Sequence, residues 1–330
     1  MKICILGAQA RYEWYLPQLP FIRQQELVFL DRTASESEIL AAASDADMLF
    51  VDAITPISAA LIGQMPKLKL IHSEGVAYDK IDLAAAAKQR IYVCNNKGCN
   101  AGAVAEQAIM LMLMLLRRGR TGDRAVREGR QIEMKERCMA EGLTELSTCR
   151  VGLVGFGDIA RATAERLVPF GCDVFYNSKH RRDRDVEARY GVTYLTLEEL
   201  AATCDVVSLH CAVTDETRGM VNKNFLTHMK NTAYLVNTAR GELVDNDALG
   251  QALMEETIAG AGLDTLSPEP VAADHPLVTL PAPACDRLVF SPHLGGVTEA
   301  AVHRCHLHMW RNAERVCSGH RPDDIVNGVE

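Results

Sequence analysis

The stretch Val151-Gly152-Leu153-Val154-Gly155-Phe156-Gly157-Asp158-Ile159-Ala160 decides how the chain is read. Apolar residues without a charge make a short buried strand, two alternating glycines follow at once, and a helical pattern runs on through Leu167. The G-x-G spacing is a weak signal alone. Strand, glycine turn and helix in that order make a loop whose helix N-terminal amides can hold a pyrophosphate. Gly155 permits the tight turn, Gly157 lets the backbone approach a phosphate, and Ala160 replaces a third glycine that only sets helix–strand packing. The bland alternative is an ordinary strand–turn–helix with two glycines.

About twenty residues on, where an NAD site usually presents Asp or Glu to the ribose 2′-OH, the chain reads Tyr176-Asn177-Ser178-Lys179-His180-Arg181-Arg182. The carboxylate is missing, and Ser178, Lys179, Arg181 and Arg182 offer the donors a 2′-phosphate needs. NADP is therefore expected ahead of NAD, against the alternative of a solvated basic turn.

Outward from this point, short apolar runs alternate with helical patterns, which predicts an α/β fold with parallel sheets. Strands are expected at Lys2–Leu6, Leu27–Leu30, Met48–Val51, Leu68–His72 and Ile91–Cys94, and Ser35-Glu36-Ser37-Glu38 reads as a capping box opening a helix at Ile39–Ala43. An apolar helix from about Ala103 to Leu116 reads as a bridge between domains, with Met110, Met112 and Met114 as core fillers. Residues 121–147 read as a nonperiodic polar surface arm. Strands follow at Arg150–Val154, Asp173–Tyr176, Val206–Leu209, Ala233–Asn237, Ala259–Leu263 and Leu288–Phe290. A helix capped by Thr298 runs to about Cys317 and is expected to pack back on the N-terminal unit.

A length of 330 residues favours two domains. Thirty-five Lys and Arg against 43 Asp and Glu give a net charge of −8, so no global basic field exists to hold nucleic acid or an anionic membrane. Eleven cysteines lie scattered from Cys4 to Cys317 without a C-x-x-C pair, which points to reduced thiols in the cytoplasm. The segment Ala108–Leu116 is far short of a membrane span, and the N-terminus lacks signal-peptide features.

Three polar residues follow three successive strand-like runs: Arg240 in Asn237-Thr238-Ala239-Arg240-Gly241, Glu269 in Ser267-Pro268-Glu269-Pro270, and His293 in Ser291-Pro292-His293-Leu294-Gly295-Gly296. Loops at the carboxyl ends of parallel strands meet at the ligand crevice. There Arg can hold a carboxylate bidentately, His can exchange a proton near neutral pH, and Glu can orient the imidazole and favour its charged form.

With these motifs, together with Gly75-Val76-Ala77-Tyr78-Asp79-Lys80-Ile81-Asp82, Val104-Ala105-Glu106, Leu209-His210, Thr214-Asp215-Glu216-Thr217 and Leu263-Asp264, the sequence resembles the D-isomer-specific 2-hydroxyacid dehydrogenases from about Leu70 to Gly296. The resemblance implies two Rossmann-like domains, one flavodoxin-like and one dinucleotide-binding, with the active site in the cleft between them. The substrate domain would comprise 1–98 and 298–330, and the cofactor domain 99–297. The resemblance assigns substrate binding to Arg240, imidazole support to Glu269, the transferred proton to His293, and the substrate carboxylate to amides around Val76 and Ala77. It places the cofactor at Val104, Gly155, Phe156, Gly157, Asp158, Ile159, Ser178, Lys179, Arg181, His210, Cys211, Ala212, Thr217, Thr238, Ala239, Asp264, Gly295 and Gly296. It also implies a homodimer and a small 2-oxo or 2-hydroxy acid as substrate.

The chain departs from the family pattern at Ala77, a frequent glycine, and at Ala212, usually proline. Glu74 occupies a position that is uncharged in much of the family; it would repel a second substrate carboxylate if it faced the site, and an orientation toward solvent is the expected one. The substrate side chain would lie near Ile54, Thr55 and Glu74. His303, Cys305, His306 and His308 fall on one helix at spacings that favour structural histidines over a metal site. His210 reads as a residue beside the cofactor. A formate or phosphite dehydrogenase is the nearest alternative; the formate enzymes place Gln where Glu269 stands. A nucleotide-sensing corepressor of the same fold is the alternative from another class.

Overall fold

A computed structural model describes residues 1–52 and 55–330. The Ile54 part of the expected side-chain pocket lies outside the described residues. The chain forms two compact units, one from residues 1–100 with 297–330 and one from 101–296.

In the first unit, β1 (Lys2–Leu6), β2 (Glu26–Leu30), β3 (Met48–Val51), β4 (Leu70–Ser73) and β5 (Tyr92–Cys94) form a parallel sheet in the order β2-β1-β3-β4-β5. The central strands are apolar throughout because both faces are covered. Cys4, Leu6, Leu49, Val51 and Ile71 face a layer with Ile39, Leu61 and Ile62, while Ile3, Ile5, Phe50 and Leu70 face Met309, Trp310, Ala313 and Val316. These last four lie on the helix Glu299–Cys317, whose first turn is capped by the Thr298 hydroxyl. Trp310 is fully buried, with its ring 4.9 Å from that of Phe50. The capping box at Ser35 forms, with Ser35 N–H donating to Glu38 at 2.8 Å, and starts its helix at Glu36.

In the second unit, β6 (Arg150–Val154), β7 (Asp173–Asn177), β8 (Val192–Tyr194), β9 (Val206–Leu209), β10 (Tyr234–Asn237), β11 (Gly260–Leu263) and β12 (Leu288–Phe290) form a parallel sheet in the order β12-β11-β10-β9-β6-β7-β8. The strand β8 escaped the sequence reading because it has three residues, of which only Val192 is buried. The expected bridging helix, Ala101–Leu116, is a core element of this unit. Its Ala108, Leu111, Met112 and Leu115 pack with Val151, Leu153, Val236 and Val289. Gly262 lets it approach the sheet, since a Cβ there would lie 3.1 Å from Leu111. Met112 is buried as expected, whereas Met110 is 41% exposed.

The expected nonperiodic arm contains two helices, Gly119–Arg127 and Gln131–Glu141. The second buries nothing within this chain, so no core imposes an apolar stripe on its sequence. Val126, Ile132, Met139 and Leu143 are left exposed there, which corrects the expectation of a plainly solvated surface.

Candidate active site

The order of the seven-stranded sheet reverses at β6, whose neighbours are β7 and β9, and a ligand crevice opens at such a switch point. Gly155 ends β6 there with φ 93°, and a Cβ on it would stand 2.7 Å from the Cys211 nitrogen and 2.8 Å from the His210 carbonyl. Only glycine lets the two strand ends come this close. Gly157 is the N-cap of the helix Asp158–Phe170, and nothing lies within 4 Å of where its Cβ would stand. That open space in front of helix amides fits a phosphate. Phe156 and Ala160 are buried, with the Phe156 ring 4.4 Å from Tyr176. Asp158 and Ile159 supply the helix's first turn, and Val104 is buried.

Beyond β7 the basic residues are partly engaged. Arg181 makes two hydrogen bonds to Glu187, Lys179 pairs with Glu216 at 2.9 Å, and the Ser178 hydroxyl donates to the His180 carbonyl. Arg182 reaches the glycine turn, where its guanidinium donates to the Phe156 carbonyl at 3.3 Å and its buried Nε has no partner. At the end of β9, His210 bonds to Ser208 and burial pushes its imidazole down to about 4, so it is neutral near pH 7. Burial likewise pushes the Cys211 thiol up to about 11. Thr217 closes the following loop by donating to the Ala212 carbonyl at 2.7 Å.

The three polar residues of the sequence reading sit on the loops after β10, β11 and β12, which are neighbours in the sheet. Asn237 shapes the first loop, donating to the Arg240 carbonyl at 2.8 Å and accepting from Ala239 N–H at 3.0 Å. Arg240 is half-buried, and among the described residues no carboxylate pairs with its guanidinium, which donates only to the Ala239 carbonyl. The Thr238 hydroxyl is buried without a partner.

Asp264 is the carboxylate that sequence reasoning placed at the cofactor. It is 2% exposed and accepts from Ser291 at 2.5 Å, Gln107 at 3.3 Å, Leu294 N–H at 3.0 Å and Gly295 N–H at 2.9 Å. It thus braces the loop that carries His293, a role that its sequence spacing does not reveal. Gly295 is required beside it, because a Cβ would stand 2.9 Å from the Asp264 carboxylate. Gly296 ends this unit. His293 itself has φ 56°, a left-handed conformation unusual outside glycine, held by its N–H bond to the Asp264 carbonyl at 2.9 Å. Its Nδ1 lies 3.0 and 3.1 Å from the Glu269 oxygens. An Nδ1–H donated to that carboxylate leaves Nε2 as the atom that exchanges a proton, and the two side chains are 46% and 43% exposed.

In the first unit, side chains pin the carbonyls of the loop after β4. Asn95 donates to Val76, Asn96 to Glu74 and Ser73 to Ala77, at 2.6, 2.7 and 2.6 Å. Neither asparagine stood out in the sequence. The amides of Val76 and Ala77 donate to nothing among the described residues. Glu74 corrects an expectation: it is turned from solvent, 12% exposed, paired with Arg11 and, at 3.0 Å, with the buried His306. His303 packs on Tyr15 and His308 pairs with Asp324 at 3.2 Å. Among the described residues no cluster of His, Cys, Asp or Glu is arranged to hold a metal, and no helix is long and apolar enough to cross a membrane.

The family model for the NAD-binding domain of D-isomer specific 2-hydroxyacid dehydrogenases matches residues 109–295. The chain belongs to this family. A glyoxylate reductase from Thermofilum pendens is 37% identical over 298 residues, covering 90% of this chain and 86% of that protein. A glyoxylate reductase from Korarchaeum cryptofilum is 36% identical over 293 residues, covering 89% and 86%. A solved structure of the TT0316 protein from Thermus thermophilus superposes with a TM-score of 0.83 at 30% identity, over 99% of this chain and 100% of that one. This 2-hydroxyacid dehydrogenase is an NAD(P)-dependent oxidoreductase acting on a CH–OH donor. The glycine turn, the open space at Gly157 and the orphaned Thr238 hydroxyl fit a bound nicotinamide dinucleotide.

Proposed function

We propose that this dehydrogenase reduces small 2-oxo acids to D-2-hydroxy acids with NADPH, glyoxylate being the first candidate because the similar curated proteins carry that name. The observation that carries the reading is the His293–Glu269 pair on the loops after β12 and β11, together with an Arg240 on the loop after the neighbouring β10 that pairs with no carboxylate among the described residues. When bound, the cofactor supplies a hydride to the carbonyl carbon. Arg240 holds the substrate and stabilises the oxyanion that develops. His293, with Nδ1–H donated to Glu269, delivers the proton to that oxygen from Nε2. The Val76 and Ala77 amides hold the carboxylate, with the Val76 carbonyl fixed from behind by Asn95 and the Ala77 carbonyl by Ser73. Glu269 sets the reading apart from formate oxidation, which needs no proton donor.

NADPH preference is supported by the missing carboxylate at the end of β7, where Asn177 and Ser178 stand, and by Arg182 beside the glycine turn. The Lys179–Glu216 pair is too exposed, at 71% and 72%, to withhold Lys179 from a dianionic phosphate. We further propose a homodimer through the helices 119–127 and 131–141, which present Val126, Ile132 and Met139 to solvent, and a reducing, cytoplasmic location suited to eleven free thiols. A panel of 2-oxo acids, assayed by the loss of nicotinamide absorbance as NADPH or NADH is oxidised, tests the reading. Turnover of glyoxylate or another 2-oxo acid with higher kcat/KM for NADPH is expected; turnover of formate alone, or cofactor binding without turnover of any acid, would overturn it.

A further inference from the structure

The glutamate that supports the imidazole rides on a loop, and that loop is anchored at one peptide group. The Ser267 carbonyl, two residues before Glu269, accepts from Asn246 Nδ2 at 2.6 Å and from His275 Nε2 at 3.1 Å. His275 is 5% exposed, and Leu277 N–H donates to its Nδ1 at 3.2 Å. That bond fixes the tautomer, because Nδ1 accepts and the proton therefore sits on Nε2 and points at Ser267. Asn246 Nδ2 and His275 Nε2 lie 3.2 Å apart as two donors meeting on one carbonyl, whose two lone pairs serve both.

The opposite flank is closed by Gly241, the residue after Arg240. A Cβ there would stand 2.1 Å from the Leu266 carbonyl carbon and 2.4 Å from the Ser267 nitrogen. The Leu266–Ser267 peptide is thus packed against the Arg240 loop, and the carbonyl of the next peptide, Ser267–Pro268, is clamped by two side chains. Asn246 opens the helix Asn246–Met254, which follows the Arg240 loop, and His275 follows Glu269. Glu269 and His293 are too exposed for packing alone to fix their separation.

We infer that Asn246 and His275 are positioning residues for the acid–base pair: by clamping the Ser267 carbonyl they set where the Glu269 carboxylate meets His293 Nδ1, and Gly241 ties that setting to Arg240. The inference rests on the role proposed for Glu269, and neither residue touches the reacting groups.

The imidazole geometry supplies a discriminating pair of variants. In His275→Asn the side-chain oxygen can replace Nδ1 as acceptor for Leu277, but the shorter side chain no longer reaches Ser267, which keeps only the Asn246 bond. In His275→Gln the terminal amide can replace Nε2 as donor to Ser267. Full-length variants are compared for 2-oxo acid reduction across pH, with thermal unfolding as the control for folding and Glu269→Gln as the control for the role of Glu269. For His275→Asn, kcat is expected to fall roughly ten-fold or more, a misplaced catalytic group costing up to about 10²-fold. The loss should lie in kcat, with KM for the 2-oxo acid changed little, because Arg240 is untouched. Asn246→Ala should do the same, and it carries the test if His275→Asn does not fold. His275→Gln should restore the rate. Placed in a Glu269→Gln background, His275→Asn should cost little further, because both changes act through one pair. If folded His275→Asn and Asn246→Ala keep the parent kcat, or if their losses add in full to that of Glu269→Gln, the positioning role is overturned. If Glu269→Gln itself keeps the parent kcat, the role of Glu269 fails and the inference with it.

Discussion

Gly155 and Gly157 stand two residues apart in one turn, yet the structure assigns them different work, and alanine at each separates folding from cofactor binding. At Gly155 the backbone has φ 93°, and a Cβ would lie 2.7 Å from the Cys211 nitrogen. The left-handed conformation costs an L-residue roughly 1–2 kcal/mol, and forcing a methyl into packed backbone adds about 1–3 kcal/mol. Gly155→Ala should therefore destabilise the second unit by roughly 2–5 kcal/mol, and at about 2–4 °C per kcal/mol its melting temperature should fall by roughly 4–20 °C. At Gly157 a Cβ meets nothing within 4 Å, and the backbone is extended, so Gly157→Ala should leave the melting temperature of the ligand-free protein within about 2 °C. The methyl instead enters the space in front of the helix amides. Losing one or two charge-assisted hydrogen bonds, each worth about 1.5–3 kcal/mol, should weaken NADPH binding by ten-fold or more. Differential scanning calorimetry without cofactor, and NADPH titration followed by nicotinamide fluorescence, read the two effects apart. Tight NADPH binding by Gly157→Ala would refute the phosphate cradle, and an unchanged melting temperature for Gly155→Ala would refute the close approach of the strand ends.

His293→Ala should lower kcat for 2-oxo acid reduction by roughly 10²–10⁴-fold while changing NADPH affinity little; near-normal turnover would remove His293 from the proton path. Ser178→Asp with Lys179→Ala should shift kcat/KM toward NADH, since a carboxylate repels a 2′-phosphate and accepts from a 2′-OH, and an unaltered cofactor ratio would count against the basic turn. Ile132→Glu with Met139→Glu should leave the monomer folded, both side chains being 61% or more exposed, and reduce the mass seen by light scattering at micromolar concentration; an unchanged dimer mass would place the interface elsewhere.

Much of this architecture could be read along the chain. Strands β1, β3 and β9 are uncharged inside and apolar on both faces, as a parallel sheet covered by helices requires. The glycine turn directly follows such a strand, and Arg240, Glu269 and His293 were legible because each lies on the loop that follows one. What escaped lacked a local signal. Strand β8 is too short for a period, the helix 119–127 buries only Ala125, and the helix 131–141 has no core beneath it to impose a period. The fate of Glu74 depended on Arg11, sixty-three positions away, and on His306, separated by 232. The bracing by Asp264 and the Asn95 and Asn96 bonds are likewise products of strand ends brought together by the fold.

The helix Glu299–Cys317 belongs to the first unit, although nearly two hundred residues of the second are synthesised before it. On the ribosome, the sheet face of Ile3, Ile5, Phe50 and Leu70 must wait for Met309, Trp310 and Ala313 to cover it. The second unit, continuous from 101 to 296, has all of its own strands by the time that helix emerges. Vectorial synthesis, at about 5–20 residues per second, therefore favours completing the second unit first and leaves the N-terminal sheet exposed for roughly ten seconds or more. During that interval the uncovered face is a natural client surface for chaperones that bind apolar strands.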